Sequence, residues 1–113
     1  RLRSLGWNNR SVDRAAGIIH DSLLIEAKQH EWRRGVSQLD RNRRLVHRAA
    51  LLLPSPIIAR VDAKTLSLAH LGLISWDSDH SALAWQSESP SLTPNVAGRL
   101  WLLELAIRAR FRD

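Results

Sequence analysis

The stretch Asp21-Ser22-Leu23-Leu24-Ile25-Glu26-Ala27-Lys28 decides the fold. It is an apolar run that ends in a carboxylate and an ammonium one residue apart, with Asp13 upstream within a hairpin's reach. In a β-strand, side chains two apart point the same way, so Glu26 and Lys28 share a face while Leu23, Ile25 and Ala27 fill the other. With Asp13 on an adjacent antiparallel strand, two carboxylates and a lysine meet over one sheet face. Such a group can hold Mg²⁺, which prefers about two carboxylates together with waters and phosphate oxygens. Metal held there stabilises the charge on a phosphodiester under attack, and Lys28 is placed to orient the attacking water.

Outward from this run the pattern is α/β. Residues 11–16 alternate loosely and read as a strand carrying Val12 and Asp13, residues 17–21 as a turn, and Ser22 to Lys28 as the second strand of an antiparallel hairpin. From Glu31 to about His47 the period turns helical, with Trp32, Val36, Leu39 and Val46 on one face and arginines over the rest. Gly35 weakens that helix by about 1 kcal/mol relative to alanine, yet lets it pack closely on a sheet. Ala49-Ala50-Leu51-Leu52-Leu53, stopped by Pro54, reads as a central strand covered on both faces. Strand, helix and strand in this order predict a right-handed parallel crossover. Asp62 caps a helix that runs to about His70 and ends at Gly72, and residues 73–76 and 82–85 are strands joined by a polar turn. After a Ser/Pro-rich loop, Thr93 or Asn95 caps a last helix from Val96 to about Phe111. That helix is apolar nearly all round, so it is either sandwiched in the fold or set at a subunit contact, which would make a homodimer.

The composition suits one domain over residues 1–113, burying roughly two-thirds of the surface its unfolded chain exposes. There is no cysteine, which excludes disulfides and thiolate metal sites. The apolar runs are too short to span a membrane, and no stretch resembles a signal peptide, so a cytoplasmic location is expected. Seventeen Lys and Arg against eleven Asp and Glu give +6, and only Lys28 and Lys64 are lysines. An arginine-dominated surface suits a polyanion, because each guanidinium grips phosphate with a bidentate fork. A merely solvated basic face would read the same way.

Val12-Asp13 and Leu23-Leu24-Ile25-Glu26-Ala27-Lys28, with twelve residues between Asp13 and Glu26, resemble the metal-binding core of the PD-(D/E)XK nuclease superfamily. Trp32-Arg33-Arg34 and Gln38, followed by the apolar strand that stops at Pro54, resemble the segment after that motif, and the likeness covers about residues 10–77. It implies a restriction-endonuclease-like core with a small mixed sheet, an antiparallel hairpin, a crossover helix and a C-terminal helix packed on the sheet. It implies that Asp13 and Glu26 bind Mg²⁺, or Mn²⁺ in its place, with the Ala27 carbonyl as a further ligand. Lys28 would be the catalytic lysine, and Gln38 would support it from the following helix. Two departures stand out. Val12 occupies the position usually held by proline, and the helix that usually precedes the core has no room before Leu5, so it is expected upstream of Arg1.

The expected activity is Mg²⁺-dependent hydrolysis of DNA, with Arg33, Arg34, Arg41, Arg43 and Arg44 contacting phosphates and His30 close enough to touch one. The alternative is a catalytically silent domain of the same fold that binds nucleic acid or assembles with other proteins, in which Glu26 and Lys28 merely pair. An exposed pair of that kind contributes only about 0–1 kcal/mol. Other readings are weaker. The histidines His20, His30, His47, His70 and His80 show no zinc-like spacing. Trp7, Trp32, Trp76, Trp85 and Trp101 are spread through the elements and read as core rather than as a base-stacking platform.

Overall fold

The computed structural model describes residues 21–110. These residues form a small α/β domain around a four-stranded mixed sheet, with strands in spatial order β1, β2, β3, β4. The strands are β1 (Leu23–Ala27), β2 (Arg48–Pro54), β3 (Gly72–Asp77) and β4 (Ala82–Ser87). β1 pairs parallel with β2 and β2 parallel with β3, whereas β3 and β4 form an antiparallel hairpin. Residues 11–16 and the hairpin predicted to join them to β1 lie outside the described residues.

Helix α1 (Trp32–Asn42) makes the crossover from β1 to β2. Trp32, Gly35 and Leu39 are its buried residues, so the apolar stripe read from the sequence is the face that packs. The helix is shorter than its periodicity predicts. A 3₁₀ turn, Arg43–Leu45, follows Asn42, and Val46 is already extended. The reason is Arg43, which turns inward. It is 3 % exposed, and its guanidinium donates to the carbonyls of His70 (2.7 Å), Val46 (3.1 Å), His47 (3.1 Å) and Pro90 (2.8 Å). One side chain therefore ties the end of α1 to the start of β3 and to the loop before the last helix.

β2 is the central strand, with Ala49, Ala50, Leu51 and Leu53 fully buried. The link from β2 to β3 is a 3₁₀ segment, Ser55–Arg60, and helix α2 (Ala63–Leu68). Asp62 caps α2 as expected, its carboxylate accepting from the Lys64 N–H and the Thr65 hydroxyl. The end of α2 differs from expectation. His70, not Gly72, takes the left-handed position (φ 57°), and Gly72 opens β3. The His70 N–H donates to the Ser67 carbonyl and the Leu71 N–H to the Leu66 carbonyl, a Schellman closure in which Leu66 and Leu71 join the core.

Helix α3 (Val96–Arg110) begins at Asn95, whose side-chain oxygen accepts from the Gly98 N–H at 2.7 Å. It packs mainly on the turn Arg43–Leu45 rather than across the sheet as expected. Gly98 lies against the backbone of Leu45, where any Cβ would collide, and Leu102 enters the core beside Trp32, Leu39 and Leu51.

The sheet has two unlike faces. Glu26, Lys28, Ala49, Leu51, Leu53 and Leu73 lie on the face under α1, by the contacts of Gly35 and the strand register. The opposite face carries Leu23, Ile25, Trp76, Leu83 and Trp85, all exposed. Of the tryptophans among the described residues only Trp32 is buried; Trp76, Trp85 and Trp101 are 38 %, 40 % and 37 % exposed, which corrects the reading of them as core.

Candidate functional site

Glu26 and Lys28 stand on the last turn of the pleat in β1, on the side covered by α1. Their charged ends are 3.6 Å apart, with Lys28 21 % and Glu26 34 % exposed. The shared face predicted from a two-residue spacing is therefore present. What presses the pair against the helix is Gly35. A Cβ there would stand 3.1 Å from Lys28 Cγ and 3.9 Å from Glu26 Cγ, so the missing side chain makes room for both stems.

Gln38 lies one turn beyond Gly35, on the same side of α1. Its Oε1 is buried and has no hydrogen-bond partner. A buried acceptor left unpaired costs about 1–3 kcal/mol, so such an atom calls for a donor or a cation.

The backbone of β1 is equally directional. The Lys28 N–H donates to the Leu52 carbonyl, and the Ser22 carbonyl accepts from the Arg48 N–H. Even-numbered residues thus bond to β2, while Leu23, Ile25 and Ala27 turn their N–H and C=O groups to the other edge. Among the described residues no strand covers that edge. The start of β1 is fastened to β2 by Asp21, whose carboxylate grips Arg48 at 2.6 and 3.2 Å, and by Ser22 Oγ, 3.0 Å from His47 Nδ1. Hydrogen bonding from the Arg48 guanidinium holds the Asp21 carboxyl below its ordinary pKa.

The donors that could meet a divalent cation are all oxygens: the Glu26 carboxylate, the Ala27 carbonyl and Gln38 Oε1, a set that suits magnesium. Among the described residues, no three His, Asp, Glu or Cys side chains converge on one point. Asp13, the other expected carboxylate, lies outside the described residues.

The basic residues divide. Arg33, Arg34, Arg41 and Arg44 are exposed along α1 and the turn after it, as is His30 just before the helix. Arg33 stacks its guanidinium 4.4 Å from the Trp32 ring centroid, and Arg34 pairs with Glu31 at 3.7 Å. Arg43 was expected among the phosphate contacts, but it is buried on four carbonyls and cannot reach a phosphate outside. Burial also lowers its pKa.

Sequence reasoning missed a cleft of about 720 Å³ at the carboxyl ends of β1, β2 and β3. Residues 27–29, 52–56 and 76–79 line it, so Lys28 and Trp76 share its wall. The signal was available in principle, because open α/β sheets bind ligands beyond the carboxyl ends of their parallel strands.

No protein-family model matches the chain, and searches of the curated proteins and of the solved structures return no match either. No helix among the described residues is long and apolar enough to cross a membrane.

Proposed function

We propose that the chain carries a PD-(D/E)XK-type site that hydrolyses phosphodiester bonds in DNA with Mg²⁺, on a restriction-endonuclease-like core. The observation that carries this reading is the Glu26–Lys28 pair, 3.6 Å apart on one face of a strand that crosses through α1 to a parallel neighbour. Glu26, the Ala27 carbonyl and Asp13 would hold the metal. The bound metal would stabilise charge building on the phosphodiester and lower the pKa of a bound water. Lys28 Nζ would donate a hydrogen bond to the attacking water or to the phosphate oxygen that gains charge. Gln38 Oε1 would accept from that water or from the Lys28 ammonium. Exposed Arg33, Arg34, Arg41 and Arg44 would grip the backbone, with strong salt dependence and little sequence preference.

A second reading rests on the same contact: Glu26 and Lys28 satisfy each other, and the domain binds nucleic acid without cutting it. Cleavage of supercoiled plasmid and of linear single- and double-stranded DNA with Mg²⁺ or Mn²⁺, wild type beside Lys28→Ala, separates the two. Cutting that needs metal and vanishes in the variant supports hydrolysis. Binding that survives chelator with no cutting supports the silent domain.

A further inference from the structure

We infer that the sheet face turned away from α1 seats a second copy of this chain, in a two-fold dimer whose sheets meet face to face. The contact is independent of the activity proposed above. Leu23, Ile25, Trp76, Leu83 and Trp85 share that face, and each is 37–59 % exposed. β4 is exposed at every position. At about 150–250 Å² for a whole large side chain, the five leave roughly 450 Å² of apolar surface in one patch. A patch of about 300–600 Å² is the largest a typical monomer shows, and patches of that size mark contact sites. With Ala27, Leu52 and Pro54 beside them, two copies would bury about 1,000 Å² together, where specific interfaces begin.

The patch is firm. A Cβ on Gly72 would stand 2.8 Å from Trp85 Cζ3, so the indole lies across Gly72 rather than standing free. Trp76 pairs in register with Pro54 on one side and Leu83 on the other, and Ser55 Oγ donates to its carbonyl at 3.0 Å. Held aromatic side chains make strong interface anchors, since little rotamer freedom is lost when they are covered.

Charge decides the occupant. Among the strand residues on this face only Arg48 is charged, and Asp21 neutralises it at 2.6 Å. A polyanion finds no free cation here, and a charged peptide finds no opposite charge. The chain carries +6, and exposed Arg33, Arg34, Arg41 and Arg44 run along α1 and the turn after it, beyond the other face of the sheet. Two copies meeting through the bare face keep those arginines on their outer sides, whereas a contact through α1 would press like charges together. A two-fold axis sets a patch against itself, which an apolar patch tolerates and a charged one does not. With the sheets packed about 10 Å apart, the two Glu26–Lys28 pairs would face outwards on opposite sides.

The test is sedimentation equilibrium of the full chain from about 1 to 100 µM, beside Leu83→Arg, Ile25→Arg and, on α3, Trp101→Arg. Wild type should dimerise with a Kd in the micromolar range, as a contact of about 1,000 Å² allows. Leu83→Arg should weaken the dimer at least about tenfold, because a desolvated charge then lies in the contact on both copies. Ile25→Arg, on β1 at the opposite edge of the face, should act in the same way. Both side chains are largely exposed, so melting of the monomer at the lowest concentration should not change in either variant. Trp101→Arg should leave the dimer intact. A wild type that stays monomeric to about 100 µM overturns the inference and leaves the face to residues 1–20 of its own chain or to another protein. A dimer that survives both Leu83→Arg and Ile25→Arg overturns it as well, and its loss in Trp101→Arg would put the contact on α3 instead.

Discussion

The Cγ of Lys28 passes beneath Gly35, 3.1 Å from the point where a Cβ on that residue would stand. The same point is 2.5 Å from Leu51 Cδ1, and Leu51 is fully buried, so it has nowhere to retreat. Gly35→Ala gains about 1 kcal/mol of helix propensity and loses about 1–3 kcal/mol to overpacking. A net loss of about 1 kcal/mol is expected, visible as a lower urea midpoint at unchanged slope. Any Lys28-dependent activity should fall with it, because the lysine stem must shift. A raised midpoint would mean that the helix lifts off the sheet without cost.

Arg43 and Arg41 should respond oppositely. Arg43→Ala strips donors from the carbonyls of His70, Val46, His47 and Pro90, each worth about 1–3 kcal/mol when buried and unpaired. The sum rivals the whole stability of a small domain, so circular dichroism should show a largely unfolded chain. Arg43→Lys keeps the charge but lacks the planar fork, and about 2 kcal/mol should be lost. Exposed Arg41→Ala should alter stability by less than about 0.5 kcal/mol and reduce the salt slope of DNA binding by about 1. Similar melting shifts for Arg41→Ala and Arg43→Ala would contradict the buried assignment.

His70→Gly should stabilise the fold. The residue sits at φ 57°, where a side chain costs roughly 1–2 kcal/mol, partly offset by the greater freedom glycine has when unfolded. Its backbone carbonyl still accepts from Arg43, so a gain of about 0.5 kcal/mol in thermal or urea unfolding is expected. His70→Val should lower stability.

Acid should loosen β1 from β2. Arg48 holds the Asp21 carboxyl below its ordinary pKa, so the folded state binds that proton less readily than the unfolded chain. The stabilisation is therefore complete above about pH 4, the unfolded value, and drains away as pH falls through the lowered folded value. Asp21→Asn should remove this component, flattening the acid limb of a stability–pH curve measured by urea unfolding. An unchanged limb would show that the pair contributes nothing in solution.

What could be read from the sequence was what local chemistry specifies. Alternation and short apolar runs located β1, β2, β3 and β4, and an aspartate or asparagine before a periodic stretch located the caps at Asp62 and Asn95. The Glu26–Lys28 face follows from the two-residue pleat alone. Arg43 stands among Arg41 and Arg44 and looks like them, because its burial depends on His70 and Pro90, 27 and 47 residues away. That same distant demand shortened α1. Trp76 and Trp85 were misjudged because a strand pattern says which residues share a face, not whether anything covers it. The cleft stayed hidden for a related reason: it exists only where the ends of three strands come together.

The opposed backbone directions along β1 give the strand two clocks. In deuterated water, Leu24, Glu26 and Lys28 exchange their amide protons only when β1 parts from β2, an event tied to the central core. Leu23, Ile25 and Ala27 turn their amides to the other edge, which no strand covers among the described residues, and exchange without waiting for that event. Across the six residues 23–28, the ratio of odd to even exchange rates therefore measures the free energy of parting β1 from β2.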